Sequence, residues 1–411
     1  MASNTKKYDF GIVGAGLSGL SSAVTILEEN PTASILLLER SGRVGGRILS
    51  TEGSVELNGA KKLEITPGVD LGGAWIWPSS MPFTMQLIRR YNIPLVQQEG
   101  SDGTKMRVKG GVTVLVQKLL QDIGYSDANV SEHLNVEKER KKGKMENVSL
   151  RLNSIVLKVQ EKKDDKCVNL VVQNITNDKS SSISSENVTS FIVRHLVIAA
   201  PPAKIIEDIV FEGSESRYIT TGLKNKMKLQ PIWMASAGKI SLSYKEKFWN
   251  SGNIMMSLRP PNIETSTSDG NTFAGAFQVY DAGLNDNGEY IVVAFVTCGE
   301  RAENPYSGDT MAEIVAKQLD ESVIKETNSS SFSNYQSTQM KCWKTDKNIN
   351  KLHDAAPYPL YPQPIFGLND DTINGRRIWF GGSEASEDWT GMIEGAVMNG
   401  TEIGKKIANF P

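Results

Sequence analysis

The chain has 411 residues, which is more than one typical domain and enough to bury a substantial hydrophobic core. Its 45 basic and 47 acidic residues leave a net charge of -2, so no overall field favours nucleic acid or an anionic membrane. The three cysteines (Cys167, Cys298 and Cys342) are scattered and odd in number, which indicates neither a metal site nor a disulfide framework.

We expect a cytoplasmic protein without a membrane anchor. The N-terminus runs directly into a predicted strand, which leaves no room for a secretory signal. No apolar run approaches the about 18 residues needed to cross a bilayer. The sequence therefore predicts a small molecule as the partner, with no nucleic acid, membrane or metal, and it indicates no oligomeric state.

The first forty residues have the pattern of a strand, a helix and a second strand. An apolar run over 8–13 is followed by Gly14-Ala15-Gly16-Leu17-Ser18-Gly19 and then by apolar residues at helical spacing. A buried-type strand over 34–38 leads into Glu39. In this context the glycine segment predicts a dinucleotide site, a reading we prefer to that of an ordinary glycine-rich turn.

Each part of this motif has a physical reason. The first glycine permits a tight turn, the second lets the backbone approach a pyrophosphate, and the third lets the helix pack closely on the strand. The helix N-terminus offers unpaired N–H groups and a partial positive charge to the pyrophosphate. The carboxylate of Glu39 can accept both hydroxyls of an adenosine ribose, and it would repel a 2′-phosphate.

Further elements follow from apolar periodicity. Helices are predicted over 82–91, 112–123, 310–323 and 392–408. Strands are predicted over 150–159, 168–173, 191–199, 239–244, 290–297 and 377–381.

The segment after Glu39 distinguishes between dinucleotides. It reads Arg40-Ser41-Gly42-Arg43-Val44-Gly45-Gly46-Arg47 and resembles the second phosphate-contacting segment of flavoproteins with the glutathione-reductase-like fold. More specifically, it resembles the flavin amine oxidase family, which includes monoamine oxidases, polyamine oxidases and histone lysine demethylases. Arginine suits such a segment because its planar fork binds phosphate at two points.

The resemblance extends over most of the chain, with Asp70–Ile76 similar to the family's glycine-rich turn beneath the flavin ring. Two C-terminal segments, 378–385 and 389–396, are similar to the family's last flavin motif. There Glu384 would end a strand and hold ribityl or phosphate groups. The helix that opens near Met392 would direct its N–H groups toward the flavin O2 and N1. The resemblance implies cofactor contacts from Gly14, Ala15, Gly16, Leu17, Ser18, Gly19, Glu39, Arg40, Gly46, Arg47, Gly72, Gly73, Ala74, Trp75, Val156, Glu384, Met392 and Ile393.

The chain departs from the family in two places. Only eleven residues separate Gln98 from Gly110, where family members usually carry a long helical insert that roofs the substrate cavity. Met392 replaces one of the two aromatic side chains that usually flank the flavin. The resemblance then leaves Tyr358, Tyr361, Trp343 and Met392 as candidates for the substrate pocket. It also implies non-covalent FAD, because the attachment segment after Trp343 contains no cysteine.

Lys239 is the candidate catalytic residue. In the family such a lysine holds a water against flavin N5 and assists reoxidation by oxygen. The alternative is a surface lysine on a half-exposed strand, since the residues around it alternate enough to allow that. The spacing from Lys239 to Phe248-Trp249 favours the functional role.

The fold class that follows is α/β, with a Rossmann-like FAD-binding domain and an interleaved, reduced α+β substrate domain. We expect the FAD-binding domain to comprise 1–83, 105–212 and 365–411, and the substrate domain 84–104 and 213–364. The implied function is an FAD-dependent oxidase that converts an amine to an imine, with oxygen as acceptor and hydrogen peroxide as product. Two alternatives stay open: an oxidase or desaturase of a non-amine compound, and a flavin-binding protein without catalysis.

Overall fold

The protein is described by a computed structural model that covers residues 6–51, 68–125, 147–162, 166–175, 187–212, 219–234, 236–251, 256–257, 275–285, 287–297, 307–323, 331–350, 363–365 and 377–410. The helices in this part of the chain are α1 (Leu17–Glu29), α2 (Pro82–Arg90), α3 (Thr113–Asp122), α4 (Pro202–Asp208), α5 (Thr221–Leu229), α6 (Gly308–Val323) and α7 (Ile393–Ala408).

The strands of the described residues are, in chain order, β1 (Lys6–Val13), β2 (Ile35–Leu38), β3 (Ser50–Thr51), β4 (Val69–Asp70), β5 (Trp75–Ile76), β6 (Leu95–Gln97), β7 (Met106–Val108), β8 (Val148–Arg151), β9 (Ser154–Lys162), β10 (Cys167–Asn174), β11 (Val188–Ile198), β12 (Val210–Glu212), β13 (Ala237–Tyr244), β14 (Met256–Ser257), β15 (Gly275–Leu284), β16 (Tyr290–Thr297), β17 (Ser337–Cys342) and β18 (Ile378–Phe380).

The chain divides into two compact units, each assembled from separate stretches of sequence. Unit 1 comprises Met1–Arg47, Leu115–Gln230 and Tyr361–Pro411. Unit 2 comprises Ile48–Val114 and Pro231–Leu360. These bounds describe packing alone, so the division into FAD-binding and substrate domains stays a prediction.

Unit 1 is built on a sheet of eight described strands in the order β12-β9-β10-β11-β1-β2-β8, with β18 also paired to β11. The pairs β1–β2, β1–β11, β2–β8 and β11–β18 are parallel, whereas β10 is antiparallel to both β9 and β11. The sequence of β2, Ile-Leu-Leu-Leu, is buried throughout, as parallel strands covered on both faces usually are.

Unit 2 contains an antiparallel sheet of five described strands, in the order β14-β15-β16-β13-β17. One face is covered by α6, which contributes Met311, Ala312, Val315, Ala316 and Leu319 to the core. These positions recur at helical spacing, so the amphipathic pattern explains the packing. Two smaller sheets, β3-β4 and β5-β7-β6, also belong to unit 2.

Most predicted elements are confirmed, and one strand prediction is wrong. The predicted strand over 150–159 is two strands, because the chain turns at Asn153 between β8 and β9. Asn153 has a φ of 52°, a left-handed conformation that asparagine tolerates better than most residues. The sequence also failed to predict β15 and β17, and β17 is polar enough to lack a clear strand pattern.

Candidate functional site

The glycine-rich turn of unit 1 lies between β1 and α1, as the sequence predicts. A Cβ on Gly19 would lie 1.9 Å from the Gly14 carbonyl oxygen, so a side chain there is sterically excluded. Gly16 is the N-cap of α1, and among the described residues no side chain caps this helix end. The first turn of α1 contains no acidic residue. This helix end can therefore receive an anion.

Glu39 lies where the sequence expects it, directly after β2, and its side chain is only 8% exposed. Its Oε2 accepts a hydrogen bond from the backbone N–H of Ala15 at 2.8 Å. Its Oε1 accepts from the N–H and hydroxyl of Ser41 at 2.8 and 2.9 Å. The backbone carbonyl of Glu39 accepts a hydrogen bond from the backbone N–H of Ser154, the first residue of β9. Val156, two residues further along β9, is therefore buried at the same end of the sheet. A carboxylate has about four acceptor positions, so further hydrogen bonds remain possible.

The arginine-rich segment packs against the glycine-rich turn. Gly45 forms a parallel bridge with Gly16, and its N–H donates to the carbonyl of Ala15 at 2.8 Å. Gly46 follows in a left-handed conformation with a φ of 57°. The Arg40 side chain, predicted to contact the cofactor, forms an ion pair with Asp208 at the end of α4.

Arg47 and Glu384, which are far apart in sequence, form a two-point ion pair. Arg47 Nη1 lies 2.7 Å from Glu384 Oε1, and Nη2 donates to Oε2 at 2.9 Å. Nη2 also donates to the hydroxyl of Ser383 at 2.8 Å. Glu384 is 1% exposed, whereas the Arg47 side chain is 26% exposed. The expectation that Glu384 ends a strand is wrong: β18 ends at Phe380, and Glu384 lies in the 3₁₀ turn that follows.

The second predicted helix end also has the expected geometry. Met392 is the N-cap of α7, Ile393 is its first residue, and no described side chain caps this end. Helix α7 packs closely on α1, because a Cβ on Gly400 would lie 2.2 Å from the carbonyl oxygen of Ser18. The Ser18 hydroxyl accepts from the N–H of Gly382 at 3.1 Å. Unit 1 therefore joins the first and the last predicted cofactor segments.

In unit 2, Lys239 is a buried residue of β13 with 5% exposure, so the alternative of a surface lysine is wrong. Its Nζ donates to the carbonyl of Gly72 at 2.7 Å and to that of Asp70 at 3.2 Å. The hydroxyl of Tyr280 lies 3.5 Å from Nζ, and the Phe295 ring centroid lies 4.5 Å away. The Lys239 side chain is thus hydrogen-bonded directly to the backbone of the predicted glycine-rich turn.

Burial and charge compete at this lysine. Burial lowers the pKa of Lys239 to about 8, although the nearby Asp70 carboxylate raises it and Arg107 lowers it further. Burial also raises the pKa of Asp70 to about 6, against the opposing effects of a hydrogen bond from Ser50 and the charge of Lys239. Asp70 Oδ1 accepts from the Ser50 hydroxyl at 2.6 Å and the Val112 N–H at 2.9 Å. Burial thus favours the neutral form of each group, and the attraction between Lys239 and Asp70 favours the charged forms.

Trp75 is the aromatic end of the glycine-rich turn, after Gly73 and Ala74. Its ring lies 5.1 Å from that of Tyr280 and 5.6 Å from that of Phe295, measured between centroids. Lys239 Nζ lies 6.0 Å from the Trp75 ring centroid. The turn, the lysine and three aromatic rings therefore form one cluster within unit 2.

The predicted substrate-pocket residues have different outcomes. Trp343 is 5% exposed, packs with Ile349, and donates its indole N–H to the Leu71 carbonyl at 2.8 Å. Its position beside the glycine-rich turn is structural support for that turn, and a role in substrate binding stays a prediction. Tyr358 and Tyr361 lie outside the described residues.

Sequence reasoning did not predict several residues of the unit 2 cluster. Asp70 belongs to the glycine-rich segment Asp70–Ile76, but no sequence signal indicates that its carboxylate accepts hydrogen bonds from Ser50 and Val112. Tyr280 and Phe295 come from strands without a recognised motif. Within the described part of the chain, no cluster of histidine, cysteine, aspartate or glutamate could hold a metal ion, and no helix could span a membrane.

Comparisons of the sequence and the fold with known proteins point to a flavin-dependent family. A sequence profile described as "Flavin containing amine oxidoreductase" matches residues 17–166 and 136–403. Similar solved structures include a redesigned double mutant of putrescine oxidase, with a TM-score of 0.59, and wild-type putrescine oxidase bound to putrescine, with a TM-score of 0.58. Each is 14% identical and covers 98% of this chain and 99% of its own, which shows a common fold. A search of curated protein sequences found no match.

The predicted α/β fold with a parallel sheet is therefore confirmed, as is the resemblance drawn from the motifs. Since the matched residues cover far more than half of the chain, this protein is an enzyme of the flavin-containing amine oxidoreductase family.

Proposed function

We propose that the protein binds FAD non-covalently and oxidises an amine, with oxygen as the electron acceptor. The observation that carries this proposal is the packing of α1 on α7 within unit 1, since no described side chain caps the N-terminus of either helix. A helix N-terminus has N–H groups without intrahelical partners and a partial positive charge, which suits a diphosphate at α1, whose first turn has no acidic residue. At α7 the buried Glu394 of the first turn offsets part of that charge, so the N–H groups are what this end would offer a reduced flavin ring. The tight contact between α1 and α7 at Gly400 holds these two ends in a fixed relation.

The residues of unit 1 fit the adenosine and phosphate parts of FAD. We assign the ribose hydroxyls to Glu39, since its carboxylate is anchored by Ala15 and Ser41 and has acceptor capacity left. We assign the phosphate or ribityl groups to the ion pair of Arg47 and Glu384. The Arg47 guanidinium offers hydrogen-bond donors at a partly exposed position. The ion pair with Glu384 keeps that guanidinium in one orientation.

Lys239 and the turn 72–75 are assigned to the flavin ring. Held there, FAD would supply hydride acceptance from the carbon beside the amine nitrogen and two-electron transfer to oxygen, so that an imine and hydrogen peroxide would be the products. Lys239 supplies a positive charge in a site of low dielectric constant, which stabilises negative charge formed during oxygen reduction. Two of its three donors are engaged by the carbonyls of Gly72 and Asp70, so its contact of 3.5 Å to Tyr280 is the weakest and the most easily exchanged for water.

Non-covalent attachment rests on the positions of the cysteines. Cys342 lies on β17, where its backbone pairs with Gly238, and it precedes the segment in which covalently flavinylated relatives attach the cofactor. Acid or heat should therefore release intact FAD into the supernatant. Flavin that stays with the precipitated protein would contradict this part of the proposal.

A non-amine substrate is the second candidate. It is motivated by Met392, which stands at the N-cap of α7 where an aromatic residue is usual in the family. The short connection after Gln98 points the same way, because β6 and β7 form a direct hairpin in place of the helical insert. Both features concern the side of the flavin on which the substrate would bind, and Met392 is also one of the expected cofactor contacts.

One experiment separates these candidates. The purified holoprotein is mixed without oxygen with putrescine, with primary and secondary monoamines, and with the matching alcohols, and bleaching of the flavin absorbance is recorded. Bleaching by amines alone supports amine oxidation, whereas bleaching by alcohols alone supports the second candidate. Lys239→Met serves as a control, because it should bleach normally and then recover its absorbance more slowly when oxygen is admitted.

A further inference from the structure

The indole of Trp75 is held by a glutamine that the proposed function does not use. Gln98 is fully buried. Its Oε1 accepts from the Trp75 indole N–H at 3.1 Å, and its Nε2 donates to the carbonyls of Asp281 at 2.7 Å and Glu99 at 3.0 Å. An indole N–H can only donate and a backbone carbonyl can only accept, so chemistry allows this amide one orientation.

The anchor of this amide is itself immobilised. Asp281 is fully buried, and its Oδ2 accepts from the Trp249 indole at 2.9 Å, from Ser251 at 2.8 Å and from Lys247 at 2.9 Å. Its Oδ1 accepts from the N–H of Gly283 at 2.7 Å. Burial raises the pKa of Asp281, but these hydrogen bonds outweigh it and keep the pKa below its usual value. The hydrogen-bonded Asp281 carboxylate fixes the β15 backbone at this residue, and the Asp281 backbone carbonyl in turn accepts the hydrogen bond from Gln98.

The position of Gln98 in the chain is informative. It opens the short hairpin loop between β6 and β7, the region in which the chain is shorter than its family. Its N–H donates to the Lys105 carbonyl at 2.9 Å, which closes that loop. The Lys105 ammonium then lies 4.4 Å from the Trp75 ring centroid. The shortened loop therefore supplies two separate contacts to one indole.

We propose that Gln98, anchored by Asp281, is a positioning residue that sets the orientation of the Trp75 indole. By doing so it shapes the ring surface that Trp75 and Tyr280 present beside Lys239. This inference rests on the proposed function for its effect on the flavin. The hydrogen bond itself can be tested independently of any flavin.

The test replaces Gln98 by Met, which keeps the length of the side chain and removes all three hydrogen bonds. Exchange of the Trp75 indole N–H with deuterium is followed by NMR, with the signal assigned by its loss in Trp75→Phe. We expect exchange to be at least about tenfold faster in Gln98→Met, because a lost acceptor lets the indole leave its orientation. In the holoprotein the reoxidation rate of the reduced flavin should change as well.

A second glutamine provides a matched control. Gln318 is also buried, and its amide bonds the N–H and carbonyl of Ala276 on β15 at 2.8 and 3.1 Å. Gln318→Met should lower stability by a similar mechanism, yet leave the Trp75 signal and flavin reoxidation at their wild-type values. Equal effects of the Gln98 and Gln318 substitutions would overturn the inference, since both would then report a general loss of packing.

A double substitution completes the test. If Gln98 acts through Trp75, adding Gln98→Met to Trp75→Phe should change reoxidation no further. An undiminished additional effect would overturn the inference. A wild-type protein that binds no flavin would instead refute the proposed function, and the indole exchange in the apoprotein would still confirm or overturn the role of Gln98.

Discussion

Replacing Arg47 by Met tests whether the ion pair with Glu384 supports unit 1. The substitution removes the two contacts to Glu384 at 2.7 and 2.9 Å and the contact to Ser383 at 2.8 Å. It leaves Glu384, at 1% exposure, with one described donor, the Ser383 hydroxyl at 3.0 Å. Removing one partner of a buried ion pair costs about 3–5 kcal/mol, because the other charge stays buried without compensation.

The magnitude for this pair lies at the lower end of that range. The Arg47 side chain is 26% exposed, so water reaches part of the pair and about 3 kcal/mol is expected. Glu384→Gln should cost only about 1–2 kcal/mol, since it leaves a neutral buried amide and an arginine that water can solvate. The double substitution should cost less than the sum of the single ones, which reveals the coupling between the two residues.

The assay is urea unfolding of the apoprotein, with the slope of the transition checked to be the same in each variant. Arg194→Met is the matched control, because Arg194 pairs with Asp9 at 3.9 Å while its side chain is 63% exposed. Such a surface pair contributes about 0–1 kcal/mol. If Arg47→Met destabilised the protein no more than Arg194→Met, the assignment of a buried, stabilising ion pair would be refuted.

Further predictions concern the cofactor, the lysine and the helix contact. Glu39→Ala should weaken FAD binding by about 1.5–3 kcal/mol through lost ribose hydrogen bonds, measured by FAD titration of the apoprotein, and unchanged affinity would show that the ribose lies elsewhere. Reoxidation of the reduced flavin should slow as the pH rises through about 8, because Lys239 has a pKa lowered to that value and is cationic below it. Lys239→Met should be slow at every pH, and a pH step that persists in this variant would assign it to another group. Gly400→Ala, which places a Cβ 2.2 Å from the Ser18 carbonyl oxygen, should destabilise the protein by about 1–3 kcal/mol in urea, and a neutral effect would contradict the tight helix contact.

The first βαβ unit could be predicted from the sequence because its signals are local. The spacing of glycines, the helical recurrence of apolar residues and the acidic residue after the second strand all lie within 8–39. The bounds of β1 and β2 differ from the predicted ones by at most two residues, and α1 lies between them as the helical spacing predicts. The start of α7 after Met392 was predicted for the same reason, since a helix end is marked by its own neighbours.

Only the tertiary structure decided which of these residues meet and how deeply they are buried. Arg47 and Glu384 belong to separate motifs, and no periodicity predicts their ion pair. Polar and apolar residues alternate along β13, which is compatible with one exposed face, yet Lys239 and the rest of this strand are buried. Burial depends on which elements cover the second face of a strand, and these are not encoded in the strand itself. The bond of Gln98 to Trp75 likewise requires the β15 backbone at Asp281, which lies far away in sequence. Local sequence patterns determine where helices and strands form. Contacts between residues far apart in sequence determine the charge and orientation of the side chains in the site.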